Sequence, residues 1–169
     1  ASKLLWLKRH EPENWARVRR VLLPHDYVNF WLTGRAVMER GDASGSGWFD
    51  PVARAFDERA MAAIDASVAG MVPDLIDADA LVGEVQASAR VALGLPPGVV
   101  VSAGGGDNMM SAIGSGATRE GVVVVSLGTS GTIFTRTEHA VVDPDGLIAP
   151  FCSSDGAWMP LLCVMNLTG

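Results

Sequence analysis

The chain has 169 residues, 49% of them apolar and 19% charged, with a net charge of −6 at neutral pH. That is a globular composition, not a disordered one, and it suits one domain or parts of two. The acidic balance excludes the broad basic field of a nucleic-acid binder, but not a phosphate ligand neutralised locally by backbone N–H groups and a metal ion.

Residues 3–9 set Leu4, Leu5 and Leu7 among polar side chains and predict a helix; Glu11, Pro12, Glu13 and Asn14 start another, with proline in its first turn. Residues 18–23 predict a short strand stopped by Pro24. Residues 26–32 predict a helix ended by Gly34, whose Tyr27, Phe30 and Trp31 fall at helical spacing and are expected in the core. The short basic cluster Arg17, Arg19 and Arg20 is expected on a solvated face. Residues 36–38 predict a short strand, 41–47 a small-residue loop or short helix, and 57–64 a helix. Residues 71–80, with Pro73 and several acids, read as irregular. A strand over 81–85 and a helix over 87–93, ended by Gly94, follow.

Leu95, Pro96, Pro97 and Gly98 form the strongest break in the sequence and the expected domain boundary, with 1–97 closing one domain and 98–169 opening the next. Beyond it, residues 99–101 and 121–127 are β-branched runs expected as central strands buried on both faces. A helix over 108–115 lies between them, and 131–135 continues as a strand after a tight turn. The pattern is mixed α/β.

No stretch reaches the roughly 18 apolar residues of a membrane-spanning helix, and the N-terminus has no export signal. Cys152 and Cys163 are too few for a disulfide framework and are expected as buried free thiols. Both features fit a cytoplasmic protein, so the sequon Asn166-Leu167-Thr168 reads as chance. Both ends run through apolar pattern, as in a piece of a longer protein. His10, His25 and His139 lack metal-ligand spacing and are expected at the surface.

Three constellations can carry chemistry. In the first, residues 99–101 run into Gly104, Gly105 and Gly106, then Asp107 and Asn108 at a helix start. Ligands of open α/β sheets bind at the carboxyl ends of strands, where Asp107 can take a proton from a hydroxyl or cap the helix. Three glycines exceed what a cap needs and allow close approach of another group. In the second, Gly128 and Gly131 bracket Thr129 and Ser130 after a strand, a turn that can aim N–H groups and hydroxyls at phosphate or simply reverse the chain. It has no P-loop lysine, and the glycine spacing of a dinucleotide site is absent. In the third, Asp42, Ala43, Ser44 and Gly45 line a cleft or form a locally hydrogen-bonded turn.

Taken in order, Leu4-Leu5-Trp6-Leu7, Glu11-Pro12-Glu13, Leu22-Leu23-Pro24-His25-Asp26-Tyr27, Leu32-Thr33-Gly34 with Asp42-Ala43-Ser44-Gly45, Gly104-Gly105-Gly106-Asp107-Asn108 and Ser126-Leu127-Gly128-Thr129-Ser130-Gly131 resemble the middle third of the FGGY carbohydrate kinases. The resemblance implies an actin-like, ribonuclease-H-like ATPase fold with parts of two domains. It implies ATP and Mg²⁺ as cofactors and a small-molecule sugar as partner, without nucleic acid or membrane, and it allows a homodimer. D-xylulose is the expected substrate; glycerol, ribulose and gluconate are family alternatives, and a catalytically silent sugar- or nucleotide-binding protein is the other reading of the fold. Asp107 matches the family's catalytic base, Asn108 a sugar contact, and Gly128 and Thr129 the ATP-phosphate loop. Met109 and Met110 stand where many relatives carry small residues. The family's N-terminal phosphate loop and adenine pocket are absent from these residues, so this stretch alone is expected to be inactive.

Overall fold

The computed structural model describes residues 1–166, so the sequon extends outside the described residues. The helices are α1 (Ser2–His10), α2 (Pro12–Trp15), α3 (Pro24–Thr33), α4 (Arg40–Ala43), α5 (Glu58–Ile64), α6 (Ala87–Leu93) and α7 (Asp107–Gly114). The strands are β1 (Val37–Glu39), β2 (Phe49–Asp50), β3 (Ala55–Phe56), β4 (Asp74–Ile76), β5 (Leu81–Glu84), β6 (Val100–Ser102), β7 (Val123–Ser126), β8 (Gly131–Thr135), β9 (Ile148–Cys152) and β10 (Trp158–Val164).

Local chemistry explains most helix ends. Pro24 opens α3, where its missing N–H costs nothing. The Asp26 carboxylate accepts from the Leu23 N–H, and Gly34 closes the helix in the left-handed region at φ 76°. Asp57 caps α5 through the amides of Arg59 and Ala60, and Glu39 caps α4 through those of Gly41 and Asp42, each satisfying orphan donors of a first turn.

Strands β1 and β4 pair in parallel, β5 and β6 antiparallel, β2 and β3 as a small antiparallel pair, and β7-β8-β10-β9 form an antiparallel sheet in that order. Helix α7 lays Met109 and Ala112 against Phe134, Met159 and Leu161 of this sheet. A second cluster joins Met38 and Ala43 to Phe49 and Cys152. A third packs Trp48, Met61, Ile64 and Val68 together. The smallest unites Val37, Val82 and Ala103. Hydrogen bonds stitch the two ends of the chain: Ser44 Oγ accepts from the Cys152 N–H at 3.0 Å, and Trp158 Nε1 donates to the Pro51 carbonyl at 2.8 Å. Arg54 lies over the Trp158 ring and donates to the carbonyls of Gly156 and Ala157.

Several expectations are corrected. Residues 18–23 form no strand; the Val21 N–H donates once, to Met71 O, and the segment is extended coil leading into Pro24. Residues 71–80 do contain a strand, β4. Strand β7 is an edge strand with Val123 and Val125 exposed, not a central one. Tyr27, Phe30 and Trp31 face outward, and α3 buries Asp26 and Asn29 instead. Cys152 is buried but Cys163 is exposed, both as free thiols. Across the break at Pro96 and Pro97, β5 and β6 hydrogen-bond directly. Among the described residues, no helix is long and apolar enough to cross a membrane.

Candidate active site

The end of β6 and the start of α7 are joined by three glycines, each crowded by one or two side chains. Gly104 adopts φ 71°, the left-handed region that a Cβ disfavours, and a Cβ there would stand 3.2 Å from His25 Nε2. A Cβ on Gly105 would overlap Ser154 Oγ and come within 2.8 Å of Met110 Cε. On Gly106 it would meet Met109 Sδ at 3.0 Å and Asp42 Oδ1 at 3.5 Å. The glycine run is therefore a requirement of close packing against α3, α4 and the turn between β9 and β10.

Gly106 is the N-cap of α7, so Asp107 is its first residue and not its cap. The Asp107 carboxylate is exposed. It accepts the Asn108 backbone N–H at 2.8 Å and the Asn108 side-chain amide at 3.4 Å. Both bonds fall on Oδ1, leaving Oδ2 without a hydrogen bond among the described residues. Asn108 in turn accepts from Thr132 Oγ1 at 3.4 Å. Thr132 is the second residue of β8, just past the turn that holds Gly128 and Thr129, and that turn is exposed. The chain thus links the Asp107-Asn108 pair to the strand leaving the glycine turn. A separate cavity of about 520 Å³, lined by Glu39, Arg54, Asp77, Asp79, Ser154 and Asp155 among others, includes none of Asp107, Gly128 or Thr129.

Behind the glycines lies a polar cluster that the sequence did not reveal. His25, expected at the surface, is half-buried: its Nδ1 faces Asp42 Oδ2 at 3.3 Å and its Nε2 faces the Ala103 carbonyl at 2.5 Å. Asn29, one turn along α3, donates to the same carbonyl at 2.8 Å. The signal that could have found this pair is their i, i+4 spacing, which puts both on one helix face. Asp42 serves neither as a cap nor as a local turn acceptor; Glu39 takes the capping role and Asp42 turns to His25. Burial pushes the Asp26 carboxyl up to about 6 and also raises Glu39, whose bonds from the Gly41 and Asp42 amides oppose the shift. An opposed desolvation of this kind is common where carboxylates share a crowded pocket.

Architecture and site together define a mixed α/β protein of the actin-like ATPase class. The chain belongs to the FGGY family of carbohydrate kinases: the model of that family's N-terminal domain matches residues 1–114. It is 44% identical over 170 residues to the xylulose kinase of Haemophilus influenzae, covering 99% of this chain and 34% of that protein. It is 41% identical to the xylulose kinase of Streptomyces coelicolor, with 99% and 34% covered. Among solved structures it resembles a xyloylose kinase from Brucella ovis, with TM-score 0.90, 32% identity, 98% of this chain and 34% of that chain. The chain therefore spans about a third of the length of the curated relatives it matches.

Proposed function

We propose that the protein containing this chain is an ATP-dependent carbohydrate kinase that converts D-xylulose to xylulose 5-phosphate, with Asp107 as general base. The observation that carries the reading is the Asp107–Asn108–Thr132 hydrogen-bond chain, which ties an exposed carboxylate at a helix start to the strand leaving the Gly128–Thr129 turn. Asp107 takes the proton of the sugar hydroxyl as its oxygen attacks the γ-phosphorus of ATP. The bond from that phosphorus to the bridging oxygen breaks, and ADP leaves with the electron pair. Such transfer depends chiefly on positioning and charge stabilisation. Asn108 orients the sugar, and the backbone and hydroxyl of Gly128 and Thr129 hold phosphate oxygens. Mg²⁺, arriving with ATP, would screen charge on the phosphates. The exposed turn and the unspent Oδ2 of Asp107 fit these roles.

The family match through residue 114 and the 44% identity to a xylulose kinase support this reading. It takes the cytoplasm as the compartment, a small sugar as partner and a homodimer as the assembly to test. The chain then joins the end of one domain, 1–97, to the start of a second, 98–169. Coupled ADP-release assays on the full-length protein, with xylulose, ribulose, glycerol and gluconate, test the activity. Xylulose should be preferred, and Asp107→Asn should lower kcat by about a hundred- to ten-thousand-fold, the usual worth of a positioned base. Undiminished turnover by that variant would remove the base assignment.

A further inference from the structure

We propose that His25 is a positioning residue that works as a doubly protonated clamp, joining Asp42 on α4 to the Ala103 carbonyl at the end of β6 and so seating the glycines that present Asp107. The proposal deepens the kinase reading and rests on it for its kinetic consequence, but not for the charge state of His25.

The geometry fixes the protons. A backbone carbonyl only accepts, so the contact between His25 Nε2 and Ala103 O requires a hydrogen on Nε2. Were Nε2 bare, two lone pairs would face each other at 2.5 Å. An ionised carboxylate also only accepts, so the contact of Nδ1 with Asp42 Oδ2 requires a hydrogen there too. Both nitrogens protonated means an imidazolium. Asn29 donates to the same Ala103 carbonyl at 2.8 Å, and its Nδ2 lies 3.4 Å from His25 Nε2; the shorter bond to the carbonyl assigns the Asn29 hydrogen to Ala103. The charged groups that face His25 are acidic: Asp42 from α4, Asp26 from its own helix and Glu39 from the end of β1. The histidine pKa is raised accordingly, chiefly by the bond to Asp42, with burial opposing and the Ala103 carbonyl and nearby charges adding.

The clamp sits where it can matter. His25 touches the glycine run at Gly104, and Asp42 approaches it at Gly106, one residue before Asp107. Because the folded-state pKa of His25 is raised, the stabilisation is full below the ordinary histidine value of about 6.5 and is lost as pH climbs through the folded value. Above it, one of the two bonds must break and the strand end loosens. The alkaline fall in kcat then follows the seating of the glycines that present Asp107.

The test uses the full-length protein labelled with ¹⁵N-histidine. Long-range ¹H–¹⁵N spectra should show both His25 nitrogens protonated at pH 7. Asp42→Asn should move the His25 titration to lower pH, and the alkaline limb of kcat should move with it. His25→Gln keeps a donor for Ala103 but no charge; it should lower kcat about tenfold, leave KM for ATP within about threefold, and abolish that limb. A single protonated nitrogen at pH 7, or an Asp42→Asn titration that does not move, overturns the clamp. So does a His25→Gln enzyme with wild-type kcat and an unchanged limb. If the wild-type protein releases no sugar-dependent ADP, the kinase reading fails, and the spectra alone then decide the clamp.

Discussion

At the scale of single residues, the site is defined by what the glycines exclude. Gly105 faces Ser154 Oγ and Met110 Cε so closely that an added methyl must displace one of them. Met110 can swing away, whereas Ser154 Oγ is buried without a hydrogen-bond partner among the described residues and has little room. Gly105→Ala should therefore destabilise the protein by about 1–3 kcal/mol, the usual cost of overpacking. Ser154→Ala added to it should recover part of that loss, because the remaining Ser154 Cβ would lie at 3.3 Å. A double-mutant cycle by chemical denaturation measures the coupling; strict additivity would mean the two side chains do not meet. The sequence announced the glycines and Asp107 because strand, glycines and acid are contiguous. It could not announce His25, Asn29 or Ser154, since they reach Ala103 and Gly105 from 49 to 78 positions away, through contacts that no local pattern encodes.

At the scale of elements, α7 is both the platform for Asp107 and the lid of a core. Its first turn carries the acid outward while Met109, two residues on, is buried against Phe134, Met159 and Leu161. Met109→Ala should cost about 2–5 kcal/mol, as for other buried large-to-small changes, and should lower kcat more than the loss of folded protein explains, because the helix start would lose its anchor. Denaturation midpoints and active-site titration separate the two effects; a stability loss under 1 kcal/mol would place Met109 outside the core. Most helices were legible from their caps and stops: Gly34, Asp57 and Gly94 mark ends that lie where they were expected, whereas Pro24, expected to stop a strand, opens α3. The failures have a common cause in tertiary context. Helix α3 carries its aromatic face outward and buries Asp26 and Asn29, so its apolar periodicity misreports its inner side. Residues 18–23 are rich in β-branched and aliphatic side chains but lack a strand partner. Strand β7 reads as a central strand, yet in these residues it closes an edge.

At the scale of the whole molecule, the described residues form short, incomplete ladders: a two-stranded parallel pair, two small antiparallel pairs and one four-stranded sheet. Their share of the relatives' length is about a third. Residues 1–169 alone should not phosphorylate xylulose, whereas the full-length protein should; ADP release measured for both decides it, and turnover by the short form would mean that every needed group lies within this chain. The mixed α/β class was readable from local pattern, and the actin-like fold only through the resemblance of ordered blocks to a known family. The arrangement of the small sheets was not, because pairing such as β1 with β4 depends on what surrounds them.

The link between His25 and Ala103 spans 78 positions. The hairpins of β7 with β8 and of β9 with β10 close over far shorter stretches, and short loops form sooner than long ones. A full-length chain that refolds can therefore finish its hairpins and expose its acid before the seat beneath that acid exists. Order at this strand end then waits on a long-range closure, and it is lost when α3 peels away.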